Sequence, residues 1–295
     1  IRYRLVGSEM CIRDRFMNIK INKLSEHTGA EVFGVDLKSI SDQRVINELT
    51  KAFSKYSVLV IRDQNLSPNE FYESAKIFGK VFKQHNKKFA LKENDLVHYI
   101  SNKDKFEDGK IYIPGEGYHT DHSNDISPPK ATILHAKLLP SYGGDTQFVN
   151  MHLVYNQLPD DLKKSIQNLE AMHVYQSTHS KRKLMSLPRI TEKIKEVIHP
   201  LVRIHPENNK ICLYINPIRI EKIIGLTDNE TLALLDNLMS YVYKKENEYR
   251  HKWLNGDFVI WDNRILMHKA NGDYDMNEDR YLFRIMIQNE IFERT

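Results

Sequence analysis

From about Val97 onward the chain is a succession of short stretches rich in β-branched and aromatic residues, broken by Pro114-Gly115, Pro128-Pro129, Gly143-Gly144 and Asn271-Gly272. Glycine and proline pairs turn the backbone, and short strands between such turns predict a sandwich or barrel with long connections. The 295 residues can bury one large core, and β-rich domains commonly run to about 200–250 residues, so one elaborated domain over 17–295 is expected rather than two. Hydrophobic residues at 41% and charged residues at 28% suit a packed chain and argue against wholesale disorder.

Helices accompany this β core. Val45, Ile46, Leu49 and Phe53 recur at helical spacing within Ser41 to Tyr56, with Ser41 or Asp42 available as the cap. Ser67-Pro68-Asn69-Glu70 opens a second helix whose face includes Phe71, Ala75 and Phe78, and Gly79 is placed to end it. Between them Val58-Leu59-Val60-Ile61 reads as a buried strand, and Ile19 with Ile21, then Ala30 to Asp36, read as two earlier ones. Leu158 to Leu169 and Thr227 to Tyr243 are helical in pattern, which predicts a helical insert over about 155–250, with the basic run His179 to Arg189 as a lid.

Residues 1–16 read unlike the rest. Leu5 to Arg15 can be encoded by a transposase adapter used in preparing sequencing libraries, and the segment lacks the continuous apolar stretch and small-residue cleavage site of a secretory signal. We expect a non-native leader here, a natural start near Met17 and a foreign Cys11.

The formal net charge of +4 is spread along the chain, with a denser patch from His179 to Lys183. A solvated surface meeting small anions is expected ahead of a nucleic-acid face. Apolar runs such as Ser57 to Ile61 are strand-sized, so no membrane span is expected. Cys11 and Cys212 supply neither a disulfide framework nor a CxxC pair, which fits the reducing cytoplasm. A homo-oligomer is expected from base rates alone.

Thirteen histidines make any one of them uninformative, so spacing has to decide. Tyr118-His119-Thr120-Asp121 puts His119 and Asp121 two residues apart, on one face of an extended segment, where both can reach one ion. A third donor lies far along in Gly256 to His268, where Phe258 to Trp261 reads as a strand leading through a turn to His268. Two histidines and one carboxylate leave adjacent coordination positions open, the arrangement that suits iron(II) enzymes activating oxygen. Zinc accepts the same donors, but a zinc hydrolase would need a further general base that spacing does not locate. A dicarboxylate co-substrate would need a guanidinium for its far end. Arg280 and Arg284, four apart in an otherwise apolar run, share one face of a strand and both can face the cavity.

These residues together resemble the taurine dioxygenase and 2,4-dichlorophenoxyacetate dioxygenase family over Met17 to Asn289. The landmarks are, in order, Val60 to Gln64, Tyr118 to Asp121, Gly143-Gly144-Asp145-Thr146, His199 to Pro206, Trp261-Asp262-Asn263-Arg264, His268, Asp273-Tyr274, Arg280 and Arg284. The resemblance implies a mainly β protein with helices, built on a double-stranded β-helix or jelly roll. It implies Fe(II) held by His119, Asp121 and His268, with 2-oxoglutarate as co-substrate and O2 as oxidant. It gives Thr146 and Arg280 the distal carboxylate of 2-oxoglutarate, and Arg284 an anionic group of substrate or co-substrate.

Departures from the family bear on the substrate. Tyr118 stands where the family has tryptophan, and Gly115-Glu116-Gly117 where the taurine enzyme has an asparagine, which points away from taurine. Substrate-side positions fall near Gln84, His85, Tyr118, His122, Asn124, Thr178, His179 and Arg219, a polar and partly cationic set that suits a small organic anion. His122 or His179 could equally bond a loop backbone, and Arg219 could pair with Glu221. The rival readings are a metal-binding jelly-roll sensor, a metal-dependent hydrolase without oxygen chemistry, and a basic nucleic-acid binder; the sensor would have no need of Thr146, Arg280 and Arg284.

Overall fold

The computed structural model describes residues 19–84, 87–105, 109, 111, 113–180 and 196–289. The expected leader, His85 and most of the basic run after His179 lie outside the described residues.

A seven-stranded sheet is the backbone of the fold. Its spatial order is Lys20–Lys23, Ala30–Phe33, Val58–Ile61, Phe258–Asp262, Ala131–Leu138, Tyr281–Ile287 and His98–Ser101. Neighbours pair antiparallel except Ala30–Phe33 with Val58–Ile61, which run parallel. Successive side chains on a strand leave opposite faces, and here both faces are covered. Val58, Val60, Leu134, Ala136, Val259, Trp261 and Leu282 point into one core, while Leu59, Ile61, Ile133, Phe258, Ile260, Phe283 and Ile285 point into another. The unbroken apolar run Val58 to Ile61 is thereby explained, since a strand dry on both sides has no use for polar alternation.

The second core is closed by the two helices expected from sequence. Gln43–Tyr56 starts at Asp42, whose side chain accepts from the Arg44 amide, and ends at Ser57 in the left-handed region with φ 63°. It turns Val45, Leu49, Ala52 and Phe53 onto the sheet. Pro68–Ala75 is set by a reciprocal capping box between Ser67 and Glu70, and after one tighter turn it stops at Gly79. Phe71 and Phe78 from this helix pack on Phe258 at ring separations of 5.7 and 6.3 Å. Each such fully buried ring is worth about 1.5–3 kcal/mol in removed apolar surface.

The first core lies between the large sheet and a three-stranded one, ordered Glu248–His251, Thr146–Asn150 and Leu266–Ala270. Two facing, mainly antiparallel sheets of this kind are the jelly-roll arrangement that the resemblance implied. Over about 155–250 the chain is not only helical. Asp160–Ile166 and Asp228–Val242 are helices, but five short strands lie between them in two small sheets. Leu158 is already extended and Pro159 caps the next helix, so the pattern seen from Leu158 belongs to Asp160–Ile166, with a separate helix Met151–Gln157 before it. No helix among the described residues is long and apolar enough to cross a membrane.

Candidate active site

The site lies in the gap between the two facing sheets. His268 sits inside the strand Leu266–Ala270 rather than after it; the turn is completed earlier, at Asn263 to Ile265. His119 and His268 face each other directly: the amide of His119 donates to the carbonyl of His268 at 3.0 Å, and that of His268 donates back at 2.8 Å. Their rings consequently stand 4.3 Å apart between centroids. Two residues beyond His119, Asp121 brings its carboxylate oxygens to 3.8 Å from Nε2 of each histidine. One donor atom from each of the three lies within 4.8 Å of the others, and together they are the group among the described residues able to hold a metal ion.

His119 and Asp121 are also held in the right chemical form. Nδ1–H of His119 donates to the carbonyl of Gly117 at 2.9 Å, which leaves Nε2 with its lone pair. Thr132 donates its hydroxyl to Oδ2 of Asp121 at 2.6 Å; the Thr132 oxygen accepts from Asn263 Nδ2 at 2.9 Å, and Asn263 Oδ1 accepts from the Trp261 indole at 3.0 Å. Burial alone would raise the Asp121 pKa, but His268, Arg284, His119 and His122 around it hold the carboxyl well below its usual range. The carboxylate is therefore ionised and oriented, as a metal ligand must be.

A cavity of about 100 Å³ opens beside these three residues, lined by Ile100, Leu134, Thr146, Trp261, Arg280 and Arg284 among others. Arg280 lies just before its strand, and the pairing slips between Tyr281 and Leu282. Strand alternation does not aim Arg280; contacts do. Its amide donates to Asn102 Oδ1 at 2.9 Å and its Nε donates to the carbonyl of Gly144 at 3.0 Å. Gly144 has φ 69°, and a Cβ there would meet Arg280 Nε at 3.1 Å, so glycine is what lets the loop come this close. The nearby acids Asp145 and Asp273 are both taken by Arg250. Arg280 is thus only 3% exposed, forms no ion pair among the described residues, and lines the cavity. Thr146 lines the same cavity with its hydroxyl oxygen accepting the Trp253 indole N–H at 3.0 Å.

Arg284 donates from Nη2 to His122 Nε2 at 3.4 Å, and its buried Nε has no partner. His122 takes a left-handed φ of 48°, and its ring lies 5.8 Å from Phe82. The remaining substrate-side residues are dispersed. Tyr118 turns away from the metal donors: its hydroxyl donates to Glu248 at 2.8 Å and its ring lies against Tyr243 and Lys269. Gln84 Nε2 and Asn124 Oδ1 are buried without partners. Thr178 is bound through both its amide and hydroxyl to Glu221, and the His179 amide donates to Ser177 Oγ. Arg219 does not pair with Glu221; it donates to the carbonyl of Tyr175 at 2.7 Å. Sequence reasoning missed Thr132, Trp253 and Asn102, none of which stands in a quoted motif, whereas Asn263 lay inside one without an assigned role.

Comparison with known proteins agrees with this geometry. The family described as taurine catabolism dioxygenase TauD, TfdA matches residues 20–286. The alkylsulfatase of Acinetobacter baylyi is 29% identical over 95% of this chain and 88% of its own length. The (S)-phenoxypropionate/alpha-ketoglutarate-dioxygenase of Sphingobium herbicidovorans is 29% identical over 89% of this chain and 92% of its own. A crystal structure of a taurine dioxygenase from Burkholderia xenovorans superimposes with a TM-score of 0.77 at 30% identity, covering 92% of this chain and 91% of that one. The chain belongs to the TauD, TfdA family, and with it to the dioxygenases that depend on alpha-ketoglutarate, that is, 2-oxoglutarate.

Proposed function

We propose that His119, Asp121 and His268 hold iron(II), that Thr146 and Arg280 hold the distal carboxylate of 2-oxoglutarate, and that a small organic anion is oxidised beside Arg284. The observation that carries this reading is the cavity itself, which brings three mutually close metal donors together with two arginines that have no carboxylate partner among the described residues. The donor set fits iron: two imidazoles and one carboxylate gathered at one end of the cavity. When bound, iron(II) and 2-oxoglutarate supply the oxygen chemistry, in which O2 is consumed, one oxygen atom goes to the substrate and the other to succinate as CO2 leaves.

The chain's own residues place and shield that chemistry. Arg280 offers two parallel N–H donors, which suit a carboxylate, in a wall where burial strengthens the attraction. Ile100, Leu134 and Trp261 keep the neighbouring wall apolar and limit water. Arg284, backed by His122, offers the substrate's anionic group its anchor. Relatives are named for alkyl sulfate and phenoxypropionate chemistry, which supports a sulfate ester or aryloxy acid as substrate class. Hydroxylation of the carbon that bears the ester or ether oxygen gives a product that collapses to a carbonyl compound and releases the oxygen-bound group, sulfate from a sulfate ester or a phenol from an aryloxy acid.

The test is a panel of alkyl sulfates, sulfonates and phenoxy acids, each assayed for oxygen uptake and succinate with iron(II) and 2-oxoglutarate supplied. At least one member should raise succinate formation above the substrate-free rate. Product formation that needs neither oxygen nor 2-oxoglutarate would contradict the proposal.

A further inference from the structure

The loop that carries two of the three metal donors is held from both sides, and one of those holds comes from outside the two facing sheets. From the large sheet, Thr132, itself held by Asn263, donates to the Asp121 carboxylate. On the other side stands Asn216, fully buried in the turn between the short strands Ile211–Leu213 and Ile220–Ile223. Its own carbonyl accepts the amides of Arg219 at 3.0 Å and Ile220 at 2.9 Å, and its Oδ1 accepts the Ile218 amide at 3.2 Å. Those bonds leave Nδ2 to the metal-binding loop, where it donates to the carbonyl of Thr120 at 2.8 Å and to Ser123 Oγ at 3.0 Å.

These two acceptors bracket Asp121 and His122. The Thr120 carbonyl belongs to the peptide group that ends at the Asp121 nitrogen, and a peptide group is planar, so fixing the carbonyl fixes the plane from which the Asp121 side chain hangs. Between the two holds, His122 takes its left-handed φ of 48°, a conformation that a residue with a β-carbon keeps only where its surroundings impose it. The neighbouring strands grip the same loop. Ser123 Oγ lies 3.0 Å from Nδ1 of His173, Nε2–H of His199 donates to the Asp125 carbonyl at 2.9 Å, and the two imidazoles stand edge to face with 5.2 Å between centroids. Thr120, Ser123, His173 and Asn216 are all buried, so a bond lost among them is not replaced by bulk water.

We propose that Asn216 is a positioning residue for the metal: its Nδ2 sets the Thr120–Asp121 peptide plane and the turn at His122, and with them the direction in which Asp121 presents its carboxylate to the ion. This rests on the reading above that Asp121 is a metal ligand. The small inserted sheets are thereby part of what builds the metal site.

The test uses cobalt(II) as the probe, added anaerobically to the metal-free protein, with affinity read by competitive titration and geometry by the visible d–d bands at saturating metal. Asn216→Ala should weaken cobalt(II) binding about tenfold or more, the low end of what groups orienting metal ligands govern, and should shift the bands. Ser123→Ala removes one of the two acceptors and leaves the Thr120 bond, and should weaken binding about twofold or more. Gln64→Leu is the control: Gln64 is likewise a buried amide with three backbone bonds, but they run to Leu37, Val35 and Arg62, and it does not line the cavity. That variant should lower the urea midpoint and keep the wild-type cobalt(II) affinity and bands. Wild-type affinity and bands in Asn216→Ala overturn the proposal, as does an equal loss in Gln64→Leu. If Asn216→Ala does not fold, Ser123→Ala decides, and unchanged affinity and bands there overturn it. A wild type that binds no cobalt(II), or binds it as tightly after His268→Ala, indicts the metal-site reading itself, and the proposal falls with it.

Discussion

Thr132 donates its hydroxyl to Asp121 Oδ2 at 2.6 Å, and the same oxygen accepts from Asn263, so one small side chain both charges a hydrogen bond and fixes its direction. Thr132→Val keeps the shape and removes that donor, and partners of metal ligands typically govern about 10–100-fold in metal affinity. The expected result is a loss of iron(II) or cobalt(II) affinity in that range, with Thr132→Ser restoring most of it. Competitive metal titration of the three proteins checks this; equal affinities would show that Asp121 is oriented by other contacts.

Trp253 stands in the same relation to Thr146. Because the Thr146 oxygen accepts the indole N–H, its own proton stays available to donate to a group bound in the cavity it lines. Trp253→Phe removes one hydrogen bond worth about 0.5–1.5 kcal/mol, equivalent to about 2–10-fold. The KM for 2-oxoglutarate should rise by that factor while kcat changes little. A fall in kcat at unchanged KM would place Trp253 elsewhere in the reaction.

Much of the fold was legible in the sequence because it rests on local chemistry. The helix opening at Ser67 to Glu70, the helical span Thr227 to Tyr243 and the all-apolar strand Val58 to Ile61 were visible as residue types at fixed offsets, and the structure adds reciprocal capping boxes at Ser67–Glu70 and Thr227–Glu230. The spacing of His119 and Asp121 likewise anticipated donors that the structure places together. What could not be read was the effect of contacts distant in sequence. Arg280 is aimed by Gly144 and Asn102 across a register slip, not by strand parity, and Tyr118 is drawn away by Glu248. Thr132 and Trp253 are ordinary strand and loop residues until the sheets bring them beside Asp121 and Thr146.

Acid should weaken the fold through buried histidines. Burial, with Arg284 beside His98, Lys137 near His135 and Arg203 near His199, lowers all three from 6.5 to about 4. These groups stay neutral when folded but take up protons when unfolded, so their contribution is full above 6.5 and is lost as pH falls from there through about 4. Each tenfold difference in proton affinity is worth about 1.4 kcal/mol, so the summed loss is on the order of several kcal/mol. Urea midpoints measured across that window should fall steadily, and His135→Gln should flatten the slope. A midpoint independent of pH there would contradict the burial argument.

The central claim is that His119, Asp121 and His268 hold the iron at which 2-oxoglutarate and oxygen react. The most direct measurement compares oxygen-dependent succinate formation, with iron(II) and 2-oxoglutarate supplied, in the wild type and in His268→Ala, alongside bound iron and circular dichroism. The wild type should bind one iron and form succinate, and the variant should fall to background while its fold is retained. Wild-type succinate formation by His268→Ala would contradict the assignment.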